Sequence, residues 1–181
     1  MNVETTRLKL RNLTMEDFDA LHEILSDTET MQYYPAPFSK EQTRNWIMRN
    51  IERYTEFGFG LWAVILKESG EFIGDCGITM QNIHGEILPE IGYHIHKEHQ
   101  RKGYASEAAQ ACMDFLFEHT PFNMAYSYMK YTNAASYGVA IKNGMRFIEE
   151  YDDPVNTRTR VYAITRDAWQ ARKTGEVRVH D

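Results

Sequence analysis

A chain of 181 residues with 43% hydrophobic and 25% charged residues has the make-up of a soluble globular domain with room for a real core. No apolar run approaches membrane length, and Glu4, Arg7, Lys9 and Arg11 argue against a signal peptide. A net charge of −6 argues against nucleic acid as the main partner, while Cys76 and Cys112 have neither a disulfide framework nor metal-ligand spacing and read as buried small hydrophobes. These features predict one domain over residues 1–173, a loose tail over 174–181, and a cytoplasmic location with no membrane partner.

Residues 5–13, TTRLKLRNL, predict a first strand with Leu8, Leu10 and Leu13 as its apolar members. Thr14, followed by Glu16 and Asp17, starts a helix whose buried stripe is Phe18, Leu21, Ile24 and Leu25. Ser39 and Gln42 form a second capping box, and Trp46, Ile47, Ile51 and Tyr54 give that helix its apolar face. Gly58-Phe59-Gly60 ends it. Strands over 61–67 and 71–80 read as a hairpin around Glu68-Ser69-Gly70, and 81–89 reads as a loop.

Ile91, Tyr93 and Ile95 alternate with Gly92, His94 and His96, so a central strand is expected there. The chain then enters Gln100-Arg101-Lys102-Gly103-Tyr104-Ala105, followed by a helix with Ala108, Ala109, Cys112, Phe115 and Leu116 on one face. A strand, a basic glycine loop and a helix make a unit that turns backbone N–H groups inward at a helix's positive end, where phosphate oxygens bind. A strand over 123–131, a short helix opened by Asn133 and closed at Gly144, and an antiparallel pair over 145–151 and 158–165 complete the pattern. One or two helical turns are expected over 166–173.

The loop matches, at every specified position, the coenzyme A signature Gln/Arg-x-x-Gly-x-Gly/Ala, and the chain resembles the GNAT superfamily of N-acetyltransferases over nearly its whole length. Within it the chain looks most like the RimJ/RimL type, ribosomal-protein N-acetyltransferases in which a Trp follows the last strand, as Trp169 does here. The resemblance implies an α/β (mixed α+β) GNAT-type fold. Its central, mostly antiparallel twisted sheet would have about seven strands, with splayed parallel central strands and helices on both faces.

The resemblance further implies acetyl-CoA as acetyl donor. Its contacts would come from Tyr93, Ile95, Gln100, Arg101, Lys102, Gly103, Tyr104, Ala105, Ser106, Asn133 and Ser136. Gly92 is a candidate for the irregularity that starts the splay, or a glycine that packs under an aromatic ring. Asn133-Ala134-Ala135-Ser136 resembles the family's Asn-x-x-Ser, which makes Ser136 the candidate acid for the departing thiolate. The wider superfamily's Tyr, seven residues after the Asn, is replaced by Ala140, so a water or Tyr137 stays open as an alternative acid. Glu90 is the candidate base or cation-holding carboxylate, and a solvated strand-end glutamate is the alternative.

The acceptor expected is a primary amine, either a peptide or protein N-terminus or a small amine such as a polyamine, aminoglycoside or amino acid. Its cleft would be walled by the first two helices and residues 28–38, with some of Tyr33, Tyr34, Phe38 and Trp46 lining it and Glu90 below. A coenzyme A-binding module without catalysis is the alternative in another class. A dimer is common among relatives. Gly58-Phe59-Gly60-Leu61-Trp62-Ala63 follows a helix and opens a strand, the reverse of a dinucleotide site, and is rejected as one. His94, His96 and His99 have no evident carboxylate or Cys partner in the sequence, so no metal is assigned.

Overall fold

The computed structural model describes residues 2–175. Its contacts gather in two compact units, Met1–Thr79 with Ile91–Cys112, and Met80–Glu90 with Met113–Asp181. The strands are β1 (Asn2–Glu4), β2 (Leu8–Asn12), β3 (Leu61–Leu66), β4 (Phe72–Ile83), β5 (Glu86–Ile95), β6 (Met124–Lys130), β7 (Arg146–Asp153) and β8 (Thr157–Thr165). The helices are α1 (Phe18–Ser26), α2 (Lys40–Glu56), α3 (Tyr104–His119), α4 (Ala134–Lys142) and α5 (Arg166–Thr174). Among the described residues these strands belong to one mostly antiparallel sheet in the order β1-β2-β3-β4-β5-β6-β8-β7. Of the loose tail expected over 174–181, Thr174 instead ends α5 and Gly175 caps it with φ 74, while 176–181 lie outside the described residues.

The first unit's core forms where α1 and α2 lay their apolar stripes against β3: Leu13, Leu21, Leu25, Met31, Ile47 and Ala63 cluster, with Phe18, Phe38, Trp46, Ile65 and Phe72 packed on them. The capping residues act as their sequence predicts. Ser39 N donates to Gln42 Oε1 at 2.8 Å and Gln42 N donates to Ser39 Oγ at 3.2 Å. At Thr14 the first turn is a 3-10 turn, Met15–Asp17, and Thr14 N donates to Asp17 Oδ2 at 2.8 Å. Cys76 and Cys112 are fully buried, lie 3.5 Å apart at sulfur and are not joined by a disulfide.

In the second unit β6 pairs antiparallel with β8, and β7 pairs with β8 across a bulge at Phe147/Glu149. The parallel ladder of β5 and β6 is the single pair Glu90 and Tyr126, against the seven-residue register from Met124 to Lys130 on β8. The Arg166 guanidinium donates to the carbonyls of Phe117, Thr120 and Phe122, which satisfies backbone left open where α3 ends. Trp169 Nε1 donates to Asp114 Oδ1 at 2.6 Å, with its ring 5.2 Å from that of Phe117.

Several expectations need correction. Residues 5–13 do not form one strand: Thr5 Oγ1 accepts from Leu8 N at 2.9 Å, a local turn that separates β2 from the extra strand β1. Residues 81–89 are not a loop. β4 runs on to Ile83 and β5 begins at Glu86 around a two-residue turn, with His84 at φ 50 and Gly85 at φ 91. Ile51 is 39% exposed, and the polar Thr43 and Asn50 take inner positions of α2 instead. Asn50 earns that place by accepting from Leu61 N at 2.9 Å, which fastens the helix to the start of β3.

At Gly74, β4 runs tight against β5: a Cβ built there would lie 2.0 Å from His94 O and 3.1 Å from Ile95 Cα. Both neighbours are backbone, so a side chain must push the strands apart. Gly74→Ala is expected to cost about 1–3 kcal/mol, the range of an overpacked core, and to lower Tm by about 2–12 °C. An unchanged thermal unfolding curve for this variant would show that the contact yields freely.

Candidate active site

The loop that precedes α3 is held in an unusual backbone form. Arg101 lies at φ 60 and Gly103 at φ 84, so two left-handed residues flank Lys102 just before the helix opens at Tyr104. Glycine takes such a conformation without penalty, whereas Arg101 takes it at a cost. Alternating left- and right-handed residues turn successive N–H groups to one side, and the sixteen residues of α3 put a positive dipole end behind them. Gln100 Nε2 donates to Ile95 O at 3.0 Å and ties the loop to the strand that enters it. His99 donates through Nε2 toward Glu71 Oε1 at 2.9 Å, while its buried Nδ1 has no partner among the described residues. Backbone and orphan atom together suit a ligand with phosphate and amide groups, so the residues fit coenzyme A.

Arg7 and Glu107 lock this loop in place. Glu107 Oε1 accepts from Thr5 Oγ1 at 2.6 Å and Arg7 N at 2.8 Å, and its Oε2 accepts from Arg7 Nε at 2.6 Å. The same guanidinium donates to Lys102 O at 3.0 Å and lies 4.4 Å over the Tyr104 ring. Burial pushes the Glu107 carboxyl up, but the hydrogen bonds from Thr5 and Arg7 outweigh it and hold the carboxyl below its ordinary 4.5. No motif flagged either residue. The available signal was an acid in the first turn of a helix that follows a basic loop.

Tyr93, Ile95 and Gln100 to Ser106 therefore sit together in the first unit, with Ile95 and Ser106 buried. Glu90, Asn133 and Ser136 belong to the second. Asn133 is the N-cap expected of it: its Oδ1 accepts from Ser136 N at 3.1 Å. Tyr137 is engaged elsewhere, stacked 6.1 Å from Tyr162 with the Arg160 guanidinium 5.4 Å over its ring. Ala140 is buried in the position where the wider superfamily carries a Tyr. Glu90 lies in the parallel ladder beside Tyr126. The phenol of Tyr128, one pleat further along the same face, is pushed up by burial first and by the Glu90 charge second.

The histidines that looked partnerless each face a carboxylate. His94 Nδ1 is 2.7 Å from Asp75 Oδ1, His96 Nε2 is 3.7 Å from Glu23, and His99 pairs with Glu71. Among the described residues no group of three His, Cys, Asp or Glu is placed to hold a metal ion. The His94 pair continues outward, because Tyr34 Oη is 2.7 Å from His94 Nε2, and inward, because Trp46 Nε1 donates to Asp75 Oδ2 at 2.8 Å. Asp75 was missed in the sequence, although a lone charge inside FIGDCGITM was there to be seen.

Residues 7–146 match the acetyltransferase (GNAT) domain family. The chain is similar to the uncharacterised N-acetyltransferase YnaD of Bacillus subtilis (strain 168), with 33% identity over 81% of this chain and 83% of that protein. It superposes on the crystal structure of a GNAT-family acetyltransferase from Bacillus anthracis with a TM-score of 0.79 and 30% identity, over 92% of this chain and 99% of that one. It also shares its fold with RimL, a ribosomal-protein alpha-N-acetyltransferase solved with coenzyme A: TM-score 0.77, 22% identity, 93% of this chain and 99% of that one.

The Glu107 lock carries a pH signature. A carboxyl whose folded value lies below its unfolded one contributes stability that is present above about 4.5 and is lost as pH falls through the folded value. At pH 7, Glu107→Gln is expected to melt about 3–12 °C below the wild type, the scale of a lost charged hydrogen bond. The gap should narrow as the pH drops below about 4.5. Thermal unfolding of the pair across that range checks it, and a gap constant with pH would place the stabilisation in packing rather than charge.

Proposed function

This chain belongs to the GNAT acetyltransferase family, and on that premise we propose that it transfers an acetyl group from acetyl-CoA to a primary amine by direct attack in a ternary complex. The observation that carries the reading is the left-handed pair Arg101 and Gly103 ahead of α3, a backbone shaped for a pyrophosphate. Bound acetyl-CoA supplies an activated thioester; binding, orientation and proton handling fall to the chain. Backbone N–H groups from Gln100 to Ala105, with Ser106, hold the phosphates, and the strand backbone at Tyr93 and Ile95 lines the acyl arm. Asn133 steadies the start of α4, and Ser136 Oγ gives a proton to the departing thiolate. Glu90 offers its carboxylate to the incoming ammonium.

The acceptor we favour is the amino terminus of a protein or peptide. Support comes from the sequence likeness to the RimJ/RimL type, including Trp169 after the last strand, and the RimL structure that shares this fold is an enzyme of that kind. Free-thiol release from acetyl-CoA with a panel of peptides, polyamines, aminoglycosides and amino acids tests the reading. Peptides should be turned over fastest. Fastest release with a small amine would move the acceptor to that class, and acetyl-CoA binding without turnover of any amine would make the chain a binding module.

Two variants probe the parts. Gly103→Val puts a β-branched side chain at φ 84 and should weaken acetyl-CoA binding at least about tenfold by calorimetry; unchanged affinity removes the basis of the cofactor assignment. Ser136→Ala should lower kcat by about tenfold to a thousandfold with little change in KM, as loss of one positioned acid does. Full turnover in that variant would send the proton source elsewhere.

A further inference from the structure

Asp75, His94 and Tyr34 form a hydrogen-bonded chain from the sheet interior to the surface, and none of the roles proposed above uses it. Asp75 is completely buried in β4, and among the described residues no lysine or arginine pairs with it. Three N–H groups point at its oxygens: His94 N at 3.2 Å, His94 Nδ1 at 2.7 Å and Trp46 Nε1 at 2.8 Å. With Nδ1 donating to Asp75, the neutral imidazole keeps a lone pair on Nε2, so the Tyr34 hydroxyl donates to it across 2.7 Å. His94 is 7% exposed, whereas Tyr34 is 42% exposed, so the chain ends at solvent.

The segment that carries Tyr34 is pinned rather than loose. Tyr34 N donates to Met31 O at 2.9 Å, Met31 is buried, and Phe38 N donates to Leu25 O at 2.8 Å. Tyr34, Phe38, Trp46 and His94 meet one another at ring-centroid distances of 5.4–6.3 Å. An aromatic rim above a carboxylate without a cationic side-chain partner attracts an ammonium through both the ring faces and the net charge. His94 also lies between Tyr93 and Ile95 on β5, and successive side chains of a strand point to opposite faces. The relay therefore reaches, from the other face, the stretch of backbone to which the proposed function gives the acyl arm.

We infer that Tyr34 takes the proton from the acceptor ammonium, with His94 and Asp75 as positioning residues behind it. This rests on the reading that the chain acetylates a primary amine. An ammonium N–H bond breaks as a new O–H bond forms on Tyr34 Oη, while the original hydroxyl proton passes to His94 Nε2. The electron pair stays on nitrogen, so a neutral amine and an imidazolium beside the Asp75 carboxylate result. Around the imidazole the titratable groups are Asp75 from β4, Tyr34 from the segment 28–38 and, sensing the Asp75 charge, Tyr54 of α2. Nearby on the same strand end, His96 faces Glu23 and Lys97 is paired with Asp27 at 2.8 Å.

The test measures thiol release from acetyl-CoA with spermidine and with a short peptide bearing a free amino terminus, from about pH 6 to about pH 10. Wild type, Tyr34→Phe, His94→Gln and Glu90→Gln are compared, with acetyl-CoA affinity measured by calorimetry. Tyr34→Phe keeps the ring and should keep that affinity, yet kcat at pH 7 should fall about tenfold to a thousandfold. The deficit should close toward alkaline pH, where solvent has already neutralised the amine, and His94→Gln should repeat the pattern. Glu90→Gln should not show that closing deficit. A residue with only a packing role gives the same deficit at every pH, so a constant deficit, or none, overturns the relay while the acetyltransferase reading stands. Acetyl-CoA binding by the wild type with no amine turned over overturns both. If His94→Gln does not fold, the isosteric Tyr34→Phe decides alone.

Discussion

A carboxylate with no surface of its own, in the middle of strand β4, must be satisfied from within the protein, and much of the first unit is arranged to do so. Asp75 draws in the backbone and ring of His94 from β5 and the indole N–H of Trp46 from α2. That requirement fixes which imidazole nitrogen carries hydrogen, and so which nitrogen faces Tyr34. It also accounts for Gly74, one residue before Asp75, where only a glycine lets the two strands close to the distance at which the His94 amide can reach the carboxylate. Leaving one of these groups buried and unpaired would cost more than the hydrogen bond itself supplies, which makes the arrangement all-or-none.

The loop to which the proposed function gives the coenzyme faces a different electrostatic problem. A phosphate needs N–H groups turned to one side, and a chain of L-residues resists that geometry except at glycine. Gly103 meets the need at no cost, whereas Arg101 at φ 60 must be held there by its surroundings. Arg7 contributes to this from outside the loop, because one guanidinium spans Glu107 on the helix and the Lys102 carbonyl in the loop. The shape of this loop thus depends on an ion pair whose partners lie 100 residues apart in sequence.

What could be read in the sequence was whatever is local. The glycine loop, the Ser39–Gln42 and Asn133 caps and the alternation around Tyr93 depend on neighbours within a few residues, and their outcome is set by backbone conformation alone. Other features depended on distant partners or on a turn that composition alone did not reveal. Polar Asn50 displaced Ile51 from the inner face of α2 because Leu61 N needed an acceptor. Residues 81–89 read as a loop, yet the His84-Gly85 turn lets both strands continue. His94 was weighed in the sequence only with His96 and His99 as a metal ligand, since neither of its partners, Asp75 and Tyr34, is within eighteen residues of it. Glu90, Asn133 and Ser136 were singled out by family pattern rather than by spacing alone, and Asn133 also caps α4 through its Oδ1.

The demand placed on any base here depends on the amine it serves. An α-amino group, with an ordinary pKa near 7.7–8.0, needs only about 1 kcal/mol to lose its proton at pH 7, whereas an alkylamine near 10.4 needs about 4–5 kcal/mol. A single carboxylate reached through water meets the first demand but is a poor match for the second, because a group that remains charged at pH 7 is too weak a base to hold the proton. An imidazole stands closer to neutrality, and a buried carboxylate behind it stabilises the imidazolium that forms. Under the proposed function, Glu90 and the Tyr34–His94–Asp75 chain are thus not redundant: the first would act by charge on the arriving ammonium, the second by basicity on its proton. How far catalysis leans on the second reports how basic the natural acceptor is, which links the identity of the substrate to the chemistry of a carboxylate that never touches it.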